Sequence, residues 1–246
     1  YDAGGRNEAA YKAQIATAKV DYDADFATLT SITSWADTEG RSRGDIDGGN
    51  LVTGPGFIPF PSDTQDSIDL NQFTQEVRLA SNSNGPFEWQ VGGVYFDSDF
   101  DVTTVGFDFP PPVTVNHTNE SWAVFGQVSS QVTDALKLTG GLRYTEDDKD
   151  FVVVAGAAPQ FTTVSDERLS WDLAAFYDLS GDASIYARVA SGFRAPTIQG
   201  RDVAFGSAPS VATSEKIMSY EAGLKSELAD RRIRLNGAVY YYTIKD

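Results

Sequence analysis

The sequence predicts an all-β fold: an antiparallel, up-and-down transmembrane β-barrel wall with about ten strands in five hairpins. Three observations predict it. Apolar and polar residues alternate along runs such as Leu136–Tyr144 and Ile233–Tyr241. Short turns and long loops alternate between these runs. No apolar run reaches the roughly 18 residues that a membrane-spanning helix needs.

The connections are predicted from clusters of Asp, Asn, Gly and Pro, the residues that favour turns and loops. Short turns of this kind are typical of the periplasmic end of an outer-membrane barrel, and long loops of its extracellular end. The predicted turns are Asp23-Ala24, Asn84-Gly85, Thr133-Asp134, Gly181-Asp182 and Ala229-Asp230. The predicted loops are Thr38–Ser67, Val102–Asn116, Glu146–Ser165 and Ala195–Ser214.

An aromatic residue stands at a similar distance from the nearest short turn on every predicted strand. Eleven residues of a tilted strand climb roughly 27 Å, close to the ~25 Å apolar band of such barrels. We therefore expect an outer aromatic girdle that includes Tyr95, Trp122, Tyr144, Trp171, Phe193, Tyr220 and Tyr241. In the first hairpin the corresponding aromatic residues are Tyr11 and Trp35. Tyr11 and the charged Lys19 would lie on the same face of a regular strand, so Tyr11 fits the girdle only if a β-bulge separates them.

Residues of the opposite parity are polar and carry both signs of charge. In a barrel they would line the lumen, where they could bind a folded plug, guide a polar ligand or simply form ion pairs along a solvated wall. The candidate lumen-facing residues are Arg78, Arg143, Tyr186, Arg188, Arg194, Glu221 and Lys225.

Composition excludes several classes of function. The 246 residues contain no cysteine and one histidine, so disulfides, thiolate chemistry and a histidine metal centre are not expected. The net charge of -16 argues against nucleic-acid binding. No catalytic residue, metal site or cofactor is predicted.

Three local motifs are weaker. The stretch from Asp45 begins like a calcium loop, but Gly56 stands where the closing glutamate belongs. The run Glu146–Asp150 is expected to form a hydrated rim, with divalent-cation bridging to lipopolysaccharide as the alternative. His117 lies close to the same rim, where a surface protease dyad is conceivable.

Four stretches resemble the TonB-dependent outer-membrane receptors. IYARVASGFRAPTIQG (Ile185–Gly200) is similar to the family's mid-barrel signature, and FTQEVRLAS (Phe73–Ser81) and LKLTGGLRYTEDDKDF (Leu136–Phe151) to two of its strands. SYEAGLKSELADRRIRLNGAVYYYTIKD (Ser219–Asp246) resembles the hairpin that follows the signature. The matches stand in the family's order.

The resemblance implies a 22-stranded barrel around an N-terminal plug, located in the outer membrane of a Gram-negative bacterium. Its function would be uptake of a scarce solute, most simply an iron-siderophore complex, with cobalamin or a glycan as alternatives. Energy would come through the TonB complex, and lipid and lipopolysaccharide would surround the barrel. Residues 1–246 would then be an internal part of the barrel domain, without plug, TonB box or C-terminal strands.

Two other interpretations remain open at this stage. A complete ten-stranded outer-membrane barrel could act as a surface enzyme or adhesin. A soluble β-sandwich would also alternate polar and apolar residues, but with shorter strands and no difference in length between its two sets of connections.

Overall fold

The computed structural model describes residues 7–45, 63–82, 85–108, 111–230 and 232–245. Ten long strands form one antiparallel sheet in the order β1-β2-β3-β4-β5-β6-β7-β8-β11-β12. Neighbours in the sheet are neighbours in sequence, apart from the segment between β8 and β11, so the topology is up-and-down as predicted. The long strands are β1 (Glu8–Ala24), β2 (Ala27–Asp45), β3 (Asp63–Ser81), β4 (Phe87–Val105), β5 (Val113–Thr133), β6 (Leu136–Ala155), β7 (Phe161–Ser180), β8 (Ala183–Arg194), β11 (Glu215–Leu228) and β12 (Ile233–Lys245).

β1 and β12 lie at the two edges of the sheet and do not pair with each other in the described residues. The sheet is therefore open, as expected for a portion of a larger barrel and not for a closed ten-stranded one. The described residues also contain no helix long and apolar enough to cross a membrane.

The register divides the side chains between two faces, because residues directly opposite each other on paired strands point the same way. Leu142 pairs with Trp171, Leu173 with Val189 and Tyr220 with Tyr241 on what we call the apolar face. Glu221 pairs with Arg188 on the other, which we call the polar face. The apolar side chains are broadly exposed, Val239 by 74%. An exposed apolar face of this extent is typical of a surface that meets lipid.

Most short turns lie within two residues of their predicted positions. Asp25 and Phe26 form the first turn, and Gly181-Asp182 and Ala229-Asp230 are turns as predicted. At the start of the last turn, Ala229 and Asp230 have positive φ, 53° and 55°. This left-handed backbone is uncommon for residues other than glycine. Asn84, like most of the stretch from Asp45 to Gly56 that resembles a calcium loop, lies outside the described residues.

The prediction of long loops was wrong in extent, because the strands continue well past the aromatic level. β4 and β5 pair up to Thr104 and Val113, inside the predicted loop Val102–Asn116. Polar side chains hold these extensions together: Asn116 Nδ2 donates to Asp99 at 2.7 Å and to Asp101 at 2.9 Å. Asp and Thr in these stretches favour turns in isolation, but cross-strand bonding outweighs that preference.

The expected bulge in the first hairpin is absent, and the assignment of Tyr11 to the girdle was wrong. β1 and β2 pair without interruption from Glu8↔Arg43 to Ala24↔Ala27. Tyr11 consequently lies opposite Gly40 on the polar face, whereas Trp35 lies on the apolar face opposite Phe73. The ring of Tyr11 covers Gly40, where a Cβ would overlap it.

The segment between β8 and β11 folds back over the polar face. It contains β9 (Thr197–Gln199), a short 3-10 helix (Arg201–Phe205) and β10 (Ser210–Ala212), with β9 and β10 paired antiparallel. We call residues 195–214 the strap. Ile198 and Val203 of the strap join the hydrophobic cluster of the described residues, whose strand members are Val102, Val113, Val115, Phe151 and Val153.

Candidate ligand cavity

All seven candidate lumen-facing residues lie on the polar face: Arg78, Arg143, Tyr186, Arg188, Arg194, Glu221 and Lys225. Tyr186 donates a hydrogen bond from its hydroxyl to Glu221, and the ammonium of Lys225 lies 5.5 Å from the centre of the Tyr186 ring. Arg188 pairs with Asp172. These side chains are therefore engaged with one another along the wall.

The remaining three candidates are also held within the wall. Arg78 lies 3.3 Å from Glu76, and Arg194 lies 3.2 Å from Glu215. Arg143 donates from Nε to Thr145 at 3.1 Å. Arg143 and Arg188 share a shallow depression of about 350 Å³. That these residues face a lumen or a plug stays a prediction.

The predicted girdle residues form a row on the apolar face: Tyr95, Trp122, Tyr144, Trp171, Phe193, Tyr220 and Tyr241. The rings of Phe73 and Tyr95 are 6.4 Å apart, and those of Trp122 and Tyr144 are 5.5 Å apart. Their placement at a membrane interface stays a prediction.

The run Glu146–Asp150 is divided between the two faces by the strand period. Glu146, Asp148 and Asp150 lie above the aromatic row on the side of the apolar face, while Asp147 and Lys149 point to the polar face and form an ion pair. Among the described residues, no group of three acidic or histidine side chains is arranged to hold a metal ion.

A cavity of about 670 Å³ lies on the polar face beneath the strap, within the size range of small-molecule sites. Its lining extends from β1 to β6 and includes β9. The apolar part consists of Tyr11, Ile68, Leu70, Phe96, Phe100, Val102, Val115 and Ile198, and the charged and polar part includes Asp66, His117, Asn119, Lys149 and Arg201.

The strap closes one side of this cavity through two contacts. Arg201 reaches across to β3 and pairs with Asp66 at 3.0 Å. Gly200 is buried against the ring of Phe151, and a Cβ at this position would overlap the ring. Only glycine permits this approach, which gives a physical reason for glycine at position 200.

His117 lies in an aromatic row formed by three adjacent strands. Phe100 and Phe151 are its direct cross-strand neighbours, with ring centres at 6.2 and 5.0 Å. Burial between them lowers the pKa of His117 below its ordinary value of 6.5. The imidazole is therefore a neutral, partly apolar part of the wall, and its two cross-strand neighbours are phenyl rings instead of the carboxylate of a dyad.

Sequence reasoning did not identify this cavity. Its residues lie above the aromatic row, and part of them, including Asp66, Val102 and Lys149, lies in stretches that were predicted to be loops, where the alternation was not followed. His117 and Lys149 drew attention only as parts of a rim. The available signal was the continued alternation of Phe96, Ser98, Phe100 and Val102 on one face.

Comparison with known proteins agrees with this architecture. The family model described as TonB dependent receptor-like, beta-barrel, matches residues 1–246. The chain belongs to this TonB-dependent receptor family. It is accordingly a protein of the outer membrane of Gram-negative bacteria.

Individual relatives of this TonB-dependent receptor are more distant. The pesticin receptor of Yersinia pestis is 25% identical over 184 residues, which cover 72% of this chain and 27% of that receptor. The chain thus spans about a quarter of the length of the relative it matches. Among solved structures, the ferric yersiniabactin uptake receptor FyuA from Yersinia pestis matches with a TM-score of 0.72 and 19% identity, over 96% of this chain and 36% of FyuA. The siderophore receptor PiuA from Acinetobacter baumannii matches with a TM-score of 0.76 and 16% identity, over 96% of this chain and 40% of PiuA.

Proposed function

We propose that the chain forms part of the barrel wall of a receptor that takes up an iron-siderophore complex across the outer membrane, energised through TonB. The observation that carries this proposal is the cavity beneath the strap in a chain of this family. It lies above the aromatic row and therefore on the side from which an external ligand arrives. The names of the pesticin receptor, FyuA and PiuA support the same general role.

In this proposal the barrel wall performs no covalent chemistry. The cavity captures the ligand, and a plug domain supplied by a longer chain controls its passage. The polar face, including Arg78, Arg143, Arg188 and Glu221, faces that plug and offers it hydrogen bonds from side chains of both charges. The apolar face contacts lipid, with lipopolysaccharide at the level of the aromatic row.

Growth and uptake under iron limitation test the proposal. A strain that lacks the full-length receptor should take up at least one ⁵⁵Fe-loaded chelate more slowly than its parent, and re-expression of the receptor should restore the rate. A second strain without TonB should show the same loss even when the receptor is present. The proposal fails if the parent and the deletion strain take up every chelate equally. If the deletion strain then grows poorly when cobalamin or a glycan is limiting, the receptor takes up that solute instead.

A further inference from the structure

The charges around the cavity are already neutralised by the protein. The two cations in its lining are Lys149 and Arg201. Lys149 pairs with Asp147, and Arg201 pairs with Asp66, whose other carboxylate oxygen accepts a hydrogen bond from Thr104 at 2.6 Å. His117 adds no charge near neutral pH, because burial lowers its pKa.

A strongly anionic ligand would therefore find no surplus positive charge in this lining. Moving such an anion out of water without a partner is costly, and the charge of -16 on these 246 residues opposes its approach. A ligand of low net charge avoids both costs.

The side chains that line the cavity favour aromatic rings on a ligand. Phe96, Phe100 and Tyr11 line the cavity, and His117 extends the same aromatic surface. Flat rings gain from stacking and edge contacts with such side chains, by about 0.5–1.5 kcal/mol per pair beyond the burial of their area. Aliphatic chelating arms gain only the burial of their area.

One polar group in the lining needs a donor. Asn119 lines the cavity, and its buried Oδ1 has no hydrogen-bond partner among the described residues. A buried acceptor without a donor costs about 1–3 kcal/mol. An N–H or O–H group on a ligand would remove this cost after a small rotation of the amide.

We propose that the cavity beneath the strap selects an aryl chelate of low net charge, of the phenolate type, over hydroxycarboxylate, trihydroxamate or trianionic catecholate chelates. This inference rests on the proposed function, since it names the ligand class of the same site. The phenolate rings pack on Phe96 and Phe100, and an N–H or O–H of the ligand donates to Asn119.

The test varies the aromatic rings and the net charge of the ligand independently. The full-length receptor is expressed in the deletion strain, energy is depleted so that only binding is measured, and four ⁵⁵Fe complexes are compared. A ferric phenolate-thiazoline chelate has rings and little charge, and a tris-catecholate has rings and three negative charges. A neutral trihydroxamate complex has no aromatic rings. Ferric citrate has no aromatic rings and is negatively charged.

We expect the phenolate chelate to bind about tenfold more tightly than the neutral trihydroxamate, the equivalent of about 1.4 kcal/mol. Phe96→Ala should weaken binding of the phenolate chelate about tenfold and change that of the trihydroxamate less than twofold. Phe161→Ala is the matched control, because Phe161 is 68% exposed on the apolar face. Asp66→Asn should free the charge of Arg201 and so strengthen binding of the two anionic complexes.

Tighter binding of ferric citrate or of the trihydroxamate by the wild-type receptor would overturn the inference and leave the proposed function intact. So would equal effects of Phe96→Ala on all four complexes, or an Asp66→Asn variant that binds anionic complexes no better than wild type. Failure of all four complexes to bind would instead count against iron uptake itself.

Discussion

Pairs of a glycine and an aromatic residue recur on the polar face. In each pair the ring can approach the strand because glycine has no Cβ. Tyr11 covers Gly40, Phe125 covers Gly92 and Tyr186 covers Gly223, and in every case the two residues are direct cross-strand partners. Each ring occupies the space that a Cβ would fill, so the pair covers backbone that glycine alone would leave exposed.

Replacement of Gly223 tests this arrangement. A Cβ there would lie 2.5 Å from Cε1 of Tyr186, so Gly223→Ala should destabilise the barrel by about 1–3 kcal/mol through overpacking. Gly237 is a suitable control, since a Cβ there would meet nothing within 4 Å. The measurement is thermal unfolding of the detergent-solubilised receptor by circular dichroism. The same Cβ would also lie 2.8 Å from the carbonyl oxygen of Gly237, so Tyr186→Leu in the same chain should recover only part of the loss. No recovery at all would contradict a role for the ring.

His117 provides a prediction about pH. Because its pKa in the folded chain lies below the ordinary 6.5, the unfolded chain binds a proton first as the pH falls. The stability that His117 contributes is therefore complete above about pH 6.5 and decreases from there towards the lower pKa of the folded state. In a receptor labelled on histidine, the NMR signal of His117 is identified by its absence in His117→Phe, and its titration can then be followed.

His117→Phe should keep the aromatic row with Phe100 and Phe151 and remove this dependence. The decrease in unfolding temperature between pH 7 and pH 5.5 should be smaller in the variant than in the wild type. A titration midpoint at or above 6.5 would contradict the burial of the imidazole.

At the scale of elements, the sequence predicted strands better than it predicted where they end. Alternation from Leu136 to Tyr144 reflects a sheet with one apolar face, and that pattern ends above the aromatic row. There β5, with 21 residues, continues among Asp, Asn and Thr side chains. Pairing between long neighbouring strands decides the structure in this zone, and a local propensity cannot reveal it. The cavity depends on the same long-range pairing and on the strap, which is why it was missed.

The strap is the element whose attachment is easiest to test. Arg201→Gln should break the link to Asp66 and leave β9 and β10 held by the hydrophobic contacts of Ile198 and Val203. Arg201 and Asp66 are 38% and 22% exposed, so the loss in global stability should be small, below about 1 kcal/mol.

Local opening should respond more strongly than global stability. Amide hydrogen exchange of residues 197–212 should become faster in Arg201→Gln, while exchange in β5 and β6 should not change. Arg234→Gln removes a comparable ion pair with Glu227 near the turn after β11 and is the matched control. Unaltered exchange in the strap would show that the apolar contacts alone hold it.

At the scale of the whole molecule, the two faces of the sheet impose opposite environments on neighbouring residues. Val189 and Arg188 are adjacent in β8, yet the first pairs with Leu173 and Tyr220 and the second with Ala174 and Glu221. In a barrel wall this one-residue step is the difference between lipid and an aqueous lumen.

Spin labels at these positions provide the most direct test of the orientation. The 246 residues contain no cysteine, so Val189→Cys and Arg188→Cys each introduce a single labelling site in this part of the receptor. In liposomes, a label at 189 should collide more often with molecular oxygen, which concentrates in the bilayer, and a label at 188 with a water-soluble nickel chelate. The pair Tyr220→Cys and Glu221→Cys on β11 should repeat the contrast. The reverse pattern on both strands would mean that the apolar face is directed inward, and the cavity beneath the strap would then lie outside the barrel, where it could not admit a ligand to the lumen.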